Sequence, residues 1–139
     1  MRRRDPLSPS DRSALMARIR AKNTGPELAV RKLVFSLGYR YRLHRADLPG
    51  KPDLVFPGRA KVIFVHGCFW HQHACGRYSI PKSRTRFWKE KLDGNKRRDA
   101  NNVRRLRALG WRSLVLWECQ LRDLEKVTWR IERFLDDCD

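Results

Sequence analysis

What this 139-residue chain lacks narrows its function before any motif is read. No apolar run approaches the ~20 residues of a membrane-spanning helix. The basic opening Met1-Arg2-Arg3-Arg4-Asp5 is followed by no apolar segment of the secretory kind, so a cytoplasmic location is the default expectation. No repeat, low-complexity tract or linker divides the chain. Met1 to Pro9 reads as a flexible basic N-terminus and residues 10–139 as one domain. Acid is scarce: 15 Asp and Glu face 32 Lys and Arg, a formal charge of +17. That excess exceeds what solubility requires and points to a polyanionic partner. No segment pairs a basic face with a strongly apolar one, which argues against a membrane surface and leaves nucleic acid. The charge is also directional. Lys82 to Arg107 holds eleven basic and three acidic residues, whereas Glu118 to Asp139 holds four and seven, so the tail is expected to face away from the polyanion.

The remaining pattern is that of a mixed α/β domain. Ser10 to Lys22 reads as a short helix. A second follows Asn23-Thr24-Gly25, with Pro26 in its first turn, Thr24 and Glu27 at capping-box spacing, and Gly38 as its stop. Tyr39 to Leu43 alternates like a strand. Leu48-Pro49-Gly50-Lys51-Pro52 is a stiff turn that delivers Asp53 to the strand Asp53–Phe56. Lys61 to Val65 is β-branched and central, Thr85 to Leu109 is helical with a possible break at Gly94, and Trp111 to Trp117 is a further strand. Leu121 to Leu135 closes the chain as an amphipathic helix. The order α-α-β-β-β-α-β-α predicts a mixed sheet with helices on its faces.

The densest chemistry follows the central strand. Between His66 and Cys75 lie three imidazoles and two thiols, with Phe69 and Trp70 among them. Cys68, Cys75 and either His71 or His73, completed by Cys119 beyond the next long strand, would form a closed tetrahedral site suited to structural Zn²⁺. In a cytosolic chain such thiols favour metal over disulfides. Cys138, in the acidic tail, is read as a bystander. Asp53, opening a strand beside the central one, is placed to hold a hard cation such as Mg²⁺, although a turn-capping Asp has the same position. Glu27 is equally explained as the capping-box partner of Thr24. His66 and His71 titrate near neutrality and suit acid–base work. His44 reads more simply as a phosphate contact or a surface residue. Phe69, Trp70 and Trp88 lie outside any regular apolar face, so base stacking and packing are both open to them.

Longer strings carry a resemblance. Met16-Ala17-Arg18-Ile19-Arg20, Asn23-Thr24-Gly25-Pro26-Glu27, Tyr41-Arg42-Leu43-His44, Leu48-Pro49-Gly50-Lys51-Pro52-Asp53 and Val62 through His71 are similar to the very short patch repair endonucleases. Phe87-Trp88, Lys91, Asn95, Arg98-Asp99 and Gly110-Trp111 through Trp117-Glu118-Cys119 complete the match, which runs from about Leu15 to Leu121. The resemblance implies a restriction-endonuclease-like fold with an added structural zinc site. It implies nicking of double-stranded DNA 5′ of the T in T·G mismatches left by deamination of 5-methylcytosine. It also implies a monomer working with mismatch-repair proteins.

By the same resemblance Asp53 is the catalytic carboxylate holding Mg²⁺, with the main-chain carbonyl of Val65 as a second ligand where the family often has Thr. Glu27 and His71 match residues that orient water, His71 being the acid–base group and His66 assisting. Zn²⁺ falls to Cys68, His73, Cys75 and Cys119. Phe69, Trp70 and Trp88 match a wedge inserted beside the mismatch, Met16 a residue pressing in from the minor groove, and Lys91 and Asn95 readers of the mismatched pair. The paired acidic-x-Lys signature of the wider superfamily is absent; Phe64-Val65-His66 stands where it is expected, which shifts weight to histidine. The competing readings are a zinc-stabilised DNA-binding module without catalysis and a related nuclease with another substrate.

Overall fold

A computed structural model describes residues 25–43, 45–68 and 82–137. The helix expected over Ser10 to Lys22, together with His44 and Cys138, lies outside the described residues.

Helix α1 spans Gly25–Ser36 and buries Glu27, Val30 and Val34 on one face. It ends as the sequence predicts. Gly38 takes the left-handed φ of +97°, its N–H donates to the carbonyl of Phe35, and the N–H of Tyr39 donates to Val34. This is a Schellman stop, which needs a residue without a Cβ at that position. Strands β1 (Arg42–Leu43), β2 (Leu54–Phe56), β3 (Lys61–His66) and β4 (Arg112–Trp117) form one sheet in that order. β1 and β3 run antiparallel to β2, and β4 runs parallel to β3. A parallel pair needs a crossover. It is made by α2 (Thr85–Ala108), which ends in a second Schellman stop at Gly110 (φ +89°), with the N–H of Trp111 reaching back to Leu106 at 2.9 Å.

Helix α2 runs without a break through Gly94, where the sequence left a break possible. A helical glycine costs only about 1 kcal/mol. The buried Trp88, Leu92, Asn95 and Leu106 recur at helical spacing on both sides of it and hold one continuous face inward. The last helix, α3 (Leu124–Asp136), also differs from its expected start. Glu118–Arg122 forms a 3₁₀ turn first, and Asp123 caps α3 by accepting from the N–H of Lys126 at 3.2 Å.

Strand periodicity separates two cores. Leu54, Phe56, Ile63 and Leu116 face Val30 and Val34 of α1 and Val127, Ile131 and Leu135 of α3. Val55, Val62 and Phe64 face the opposite side, where Leu106 of α2 and Leu48 cover them. The sheet is thus the middle layer of three. Lys61, buried at the start of β3, has its ammonium on the carbonyls of Phe134 (2.7 Å) and Asp137 (2.6 Å), and Arg59 reaches that of Leu135 (2.7 Å). These cations satisfy the carbonyls that a helix C-terminus leaves over.

Candidate functional site

The Asp53 carboxylate is positioned by a turn. The N–H of Lys51 donates to the carbonyl of Leu48 at 3.2 Å, with Pro49 and then Gly50 (φ +80°) between them, a type II turn. A Cβ on Gly50 would stand 3.1 Å from side-chain atoms of Asn102 on α2, so the turn is pressed against that helix. Buried Pro52 follows, and then half-buried Asp53.

The register of β2 and β3 shows why Val65 matters. Leu54 lies opposite Ile63. Continuing that pairing sets Pro52 opposite Val65. The N–H of Val65 donates to Asp53 Oδ2 at 2.6 Å, so the amide points to the β2 side. In an extended strand the carbonyl of the same residue points to that side too. The ladder partner that would donate to it is Pro52, which has no N–H. The Val65 carbonyl and the Asp53 carboxylate therefore face one region.

Glu27 enters the same region from the first turn of α1. Its side chain is 3% exposed, accepts from Nη2 of Arg31, and hydrogen-bonds the Asp53 carboxyl. Burial, chiefly, lifts the Asp53 carboxyl from 3.8 to about 7. The Val65 N–H opposes the rise, Glu27 adds to it, and Arg31 opposes it. Two carboxyls in contact cannot both be ionised cheaply unless a cation joins them. A set of carboxylate and carbonyl oxygens is the donor chemistry of Mg²⁺, and these residues fit that ion.

His66, the last residue of β3, is buried on the α2 side of the sheet by strand alternation. Its ring centroid is 5.6 Å from Phe64 and 5.1 Å from Trp117, edge-on to the latter. It adjoins Val65 in the chain but lies on the opposite face. At the strand ends, His66 pairs with Trp117 in parallel register. Cys68 follows the end of β3 and Cys119 the end of β4, and neither is in a disulfide. Two thiols just past neighbouring strand ends could supply two of the four ligands of a tetrahedral site. Among the described residues no group of three or more metal-binding side chains occurs. The remaining expected ligands, His73 and Cys75, lie outside them, as do His71, Phe69, Trp70 and Met16.

On α2, Trp88, Lys91 and Asn95 share one face. Trp88 is buried edge-on to Phe87, with ring centroids 5.3 Å apart. Lys91 is half-buried, and Asn95 is buried and accepts from Arg98. The exposed side of the same helix carries Lys89, Lys96, Arg97, Arg104 and Arg105, a basic face suited to phosphates. Sequence reasoning missed Arg31, although its i, i+4 spacing from Glu27 was a usable signal. It also missed the contact of Gly50 with Asn102, for which no local signal exists.

The family model for DNA mismatch endonuclease Vsr matches residues 4–77. The chain is 52% identical over 132 residues to the type II nicking enzyme V.XorIIP of Xanthomonas oryzae pv. oryzae, covering 95% of this chain and 97% of that protein. It is 41% identical over 131 residues to the type II nicking enzyme V.NmeAIP of Neisseria meningitidis, covering 94% of each. It is 44% identical over 117 residues to the DNA mismatch endonuclease Vsr of Escherichia coli, covering 84% of this chain and 75% of that protein. The matched stretch 4–77 contains Glu27, Asp53, Val65, His66 and Cys68.

Proposed function

The chain belongs to the DNA mismatch endonuclease Vsr family, and from that premise we propose that this DNA endonuclease nicks duplex DNA 5′ of the T in T·G mismatches arising from 5-methylcytosine deamination, using Mg²⁺. The observation that carries the reading is the convergence of Asp53, Glu27 and the Val65 main chain at the carboxyl end of β3. A DNA-binding module without catalysis has no use for a buried carboxyl in contact with a second, half-buried one.

Asp53 and the Val65 carbonyl would hold Mg²⁺, which when bound supplies Lewis acidity and offsets the charge that develops on the phosphoryl group. Glu27 orients the attacking water. His71 transfers the proton, and His66, whose ring lies on the other face of β3 from Val65, assists. Cys68, His73, Cys75 and Cys119 would hold a structural Zn²⁺; the place of Cys68 and Cys119 just past the ends of the paired strands β3 and β4 supports this set. The sheet with its flanking helices is read as a restriction-endonuclease-like core.

Selectivity follows from deformation. Phe69, Trp70 and Trp88 form the wedge, Met16 presses from the minor groove, and Lys91 and Asn95 read the pair. Trp88 and Asn95 are buried without DNA, so DNA binding must uncover them. Unstacking a base step costs on the order of a few kcal/mol, and a mismatched step costs less. The enzyme acts as a monomer, with mismatch-repair proteins as partners.

Nicking of T·G and C·G duplexes of identical sequence, with and without Mg²⁺, tests the proposal. Cleavage should require both the mismatch and Mg²⁺ and should vanish in Asp53→Ala. Equal nicking of both duplexes removes the mismatch specificity, and an active Asp53→Ala removes the catalytic assignment.

A further inference from the structure

We propose that Arg31 is a positioning residue of the nicking reaction, fixing the Glu27 carboxylate in place beside Asp53. The inference rests on the reading of Glu27 and Asp53 as the hydrolytic centre. Arg31 follows Glu27 by one turn of α1, and its Nη2 donates to Glu27 Oε2. This is not a solvated helix-surface pair. The side chains are 14% and 3% exposed, and the guanidinium charge also acts on Asp53. Exposed i, i+4 pairs contribute little, whereas withdrawing an ion pair from water carries a large desolvation penalty.

The neighbouring inward residues of α1 are Val30 and Val34, so an apolar side chain at 31 would pack there at lower cost. The charge is explained by what it touches. Two carboxylates repel each other, and without a counter-charge Glu27 would swing away from Asp53. That change removes it as a fixed acceptor for water. Arginine suits the task better than lysine, because its planar fork fixes direction as well as charge. Arg31 acts through Glu27, whose carboxylate it contacts.

The test compares wild type, Asp53→Ala, Arg31→Met, Arg31→Lys, Glu27→Gln and the Glu27→Gln/Arg31→Met double variant. Three readouts are taken: single-turnover nicking of a T·G duplex, affinity for that duplex without divalent ions, and Mn²⁺ binding by electron paramagnetic resonance. Arg31→Met should slow nicking by about 10- to 100-fold, the usual effect of removing a group that orients a metal-site residue. Duplex affinity should stay near wild type. Mn²⁺ binding should be kept or tightened, because a positive charge has left the site. Arg31→Lys should recover part of the rate, and in the Glu27→Gln background removing Arg31 should cost little more.

Nicking by Arg31→Met at the wild-type rate, loss of Mn²⁺ binding together with activity, or fully multiplicative effects in the double variant each overturn the assignment. If circular dichroism shows Arg31→Met unfolded, Arg31→Lys decides, and a wild-type rate there overturns it. Inactive wild type, or Asp53→Ala active, overturns the reading of the centre and the role of Arg31 with it. Wild type active, Asp53→Ala inactive and Arg31→Met active overturns the role of Arg31 alone.

Discussion

Replacing Asp53 by Asn should make the Mg²⁺-free protein more stable above neutral pH while abolishing nicking. Burial is the main reason the carboxyl rises from 3.8 to about 7, with Glu27 adding to it and the Val65 N–H and Arg31 opposing. An unfolded Asp loses its proton near 3.9, whereas the native side chain keeps it to about 7. The stabilisation tied to that proton is complete below the unfolded value and is lost as pH rises through about 7, so the wild type weakens across that window. At about 1.4 kcal/mol per pH unit the full effect approaches ~4 kcal/mol. Solvent reaches the half-buried carboxyl and Glu27 can draw away, which brings the expected gain to about 1–2 kcal/mol. Asn keeps an oxygen for the Val65 N–H, now 2.6 Å from Asp53 Oδ2, and carries no charge to desolvate. Urea unfolding in Mg²⁺-free buffer at pH 5 and pH 8, with zinc retained, measures the difference. The gain of the variant over wild type should be clearly larger at pH 8 than at pH 5, and added Mg²⁺ should stabilise only wild type. A variant no more stable than wild type at pH 8 would refute the claim that burial strains this carboxylate.

Four further substitutions probe the supports. Gly50→Ala meets both the left-handed φ of +80° and Asn102 at 3.1 Å; thermal melts should show a loss of roughly 1–3 kcal/mol, with nicking reduced because the same turn carries Asp53. Lys61→Met strips the buried ammonium from the carbonyls of Phe134 and Asp137, and denaturant titration should register a loss of about 1–3 kcal/mol. Cys119→Ser should lose both bound zinc and thermal stability; full zinc content by elemental analysis would remove Cys119 from the site. Arg104→Ser, on the exposed side of α2, should lower the slope of log affinity against log salt by about 1; an unchanged slope would place that face away from the phosphates.

What was legible in the sequence was local. Gly38 and Gly110 announce their helix ends because only glycine fits the left-handed stop without strain, and Pro49-Gly50 announces a stiff turn, which the structure makes type II. The apolar run from Val62 to Val65 marks a central strand, since a strand covered on both faces needs no polar side. The cap that Lys61 provides joins residues 73 and 76 positions apart, and no window of sequence contains it. Gly94 reads as a helix breaker locally but is overruled by the inward stripe from Trp88 to Leu106. Glu27 illustrates the limit most clearly. Its spacing to Thr24 gives a sufficient local explanation, and only the fold shows that its carboxyl meets Asp53, a residue on a different element.

The parallel pairing of β3 with β4 explains why the candidate residues gather at one edge of the sheet. Strands running the same way finish together, so Val65, Cys68 and Cys119 gather at a common carboxyl edge, the usual place for a site in a sheet with parallel crossovers. The crossover helix must start at that edge and return to the beginning of β4. With 24 residues α2 is about 36 Å long, while a six-residue strand spans about 20 Å. The return end of α2 is fixed, because Leu106 is buried in the core and bonds Trp111 just before β4. The excess length therefore falls at the other end, carrying the first turns of α2, with Lys89 and Lys91, toward the carboxyl edge of β3. A shorter helix would close the same crossover but would leave that edge without these cations. The length of α2 thus exceeds what the sheet alone requires.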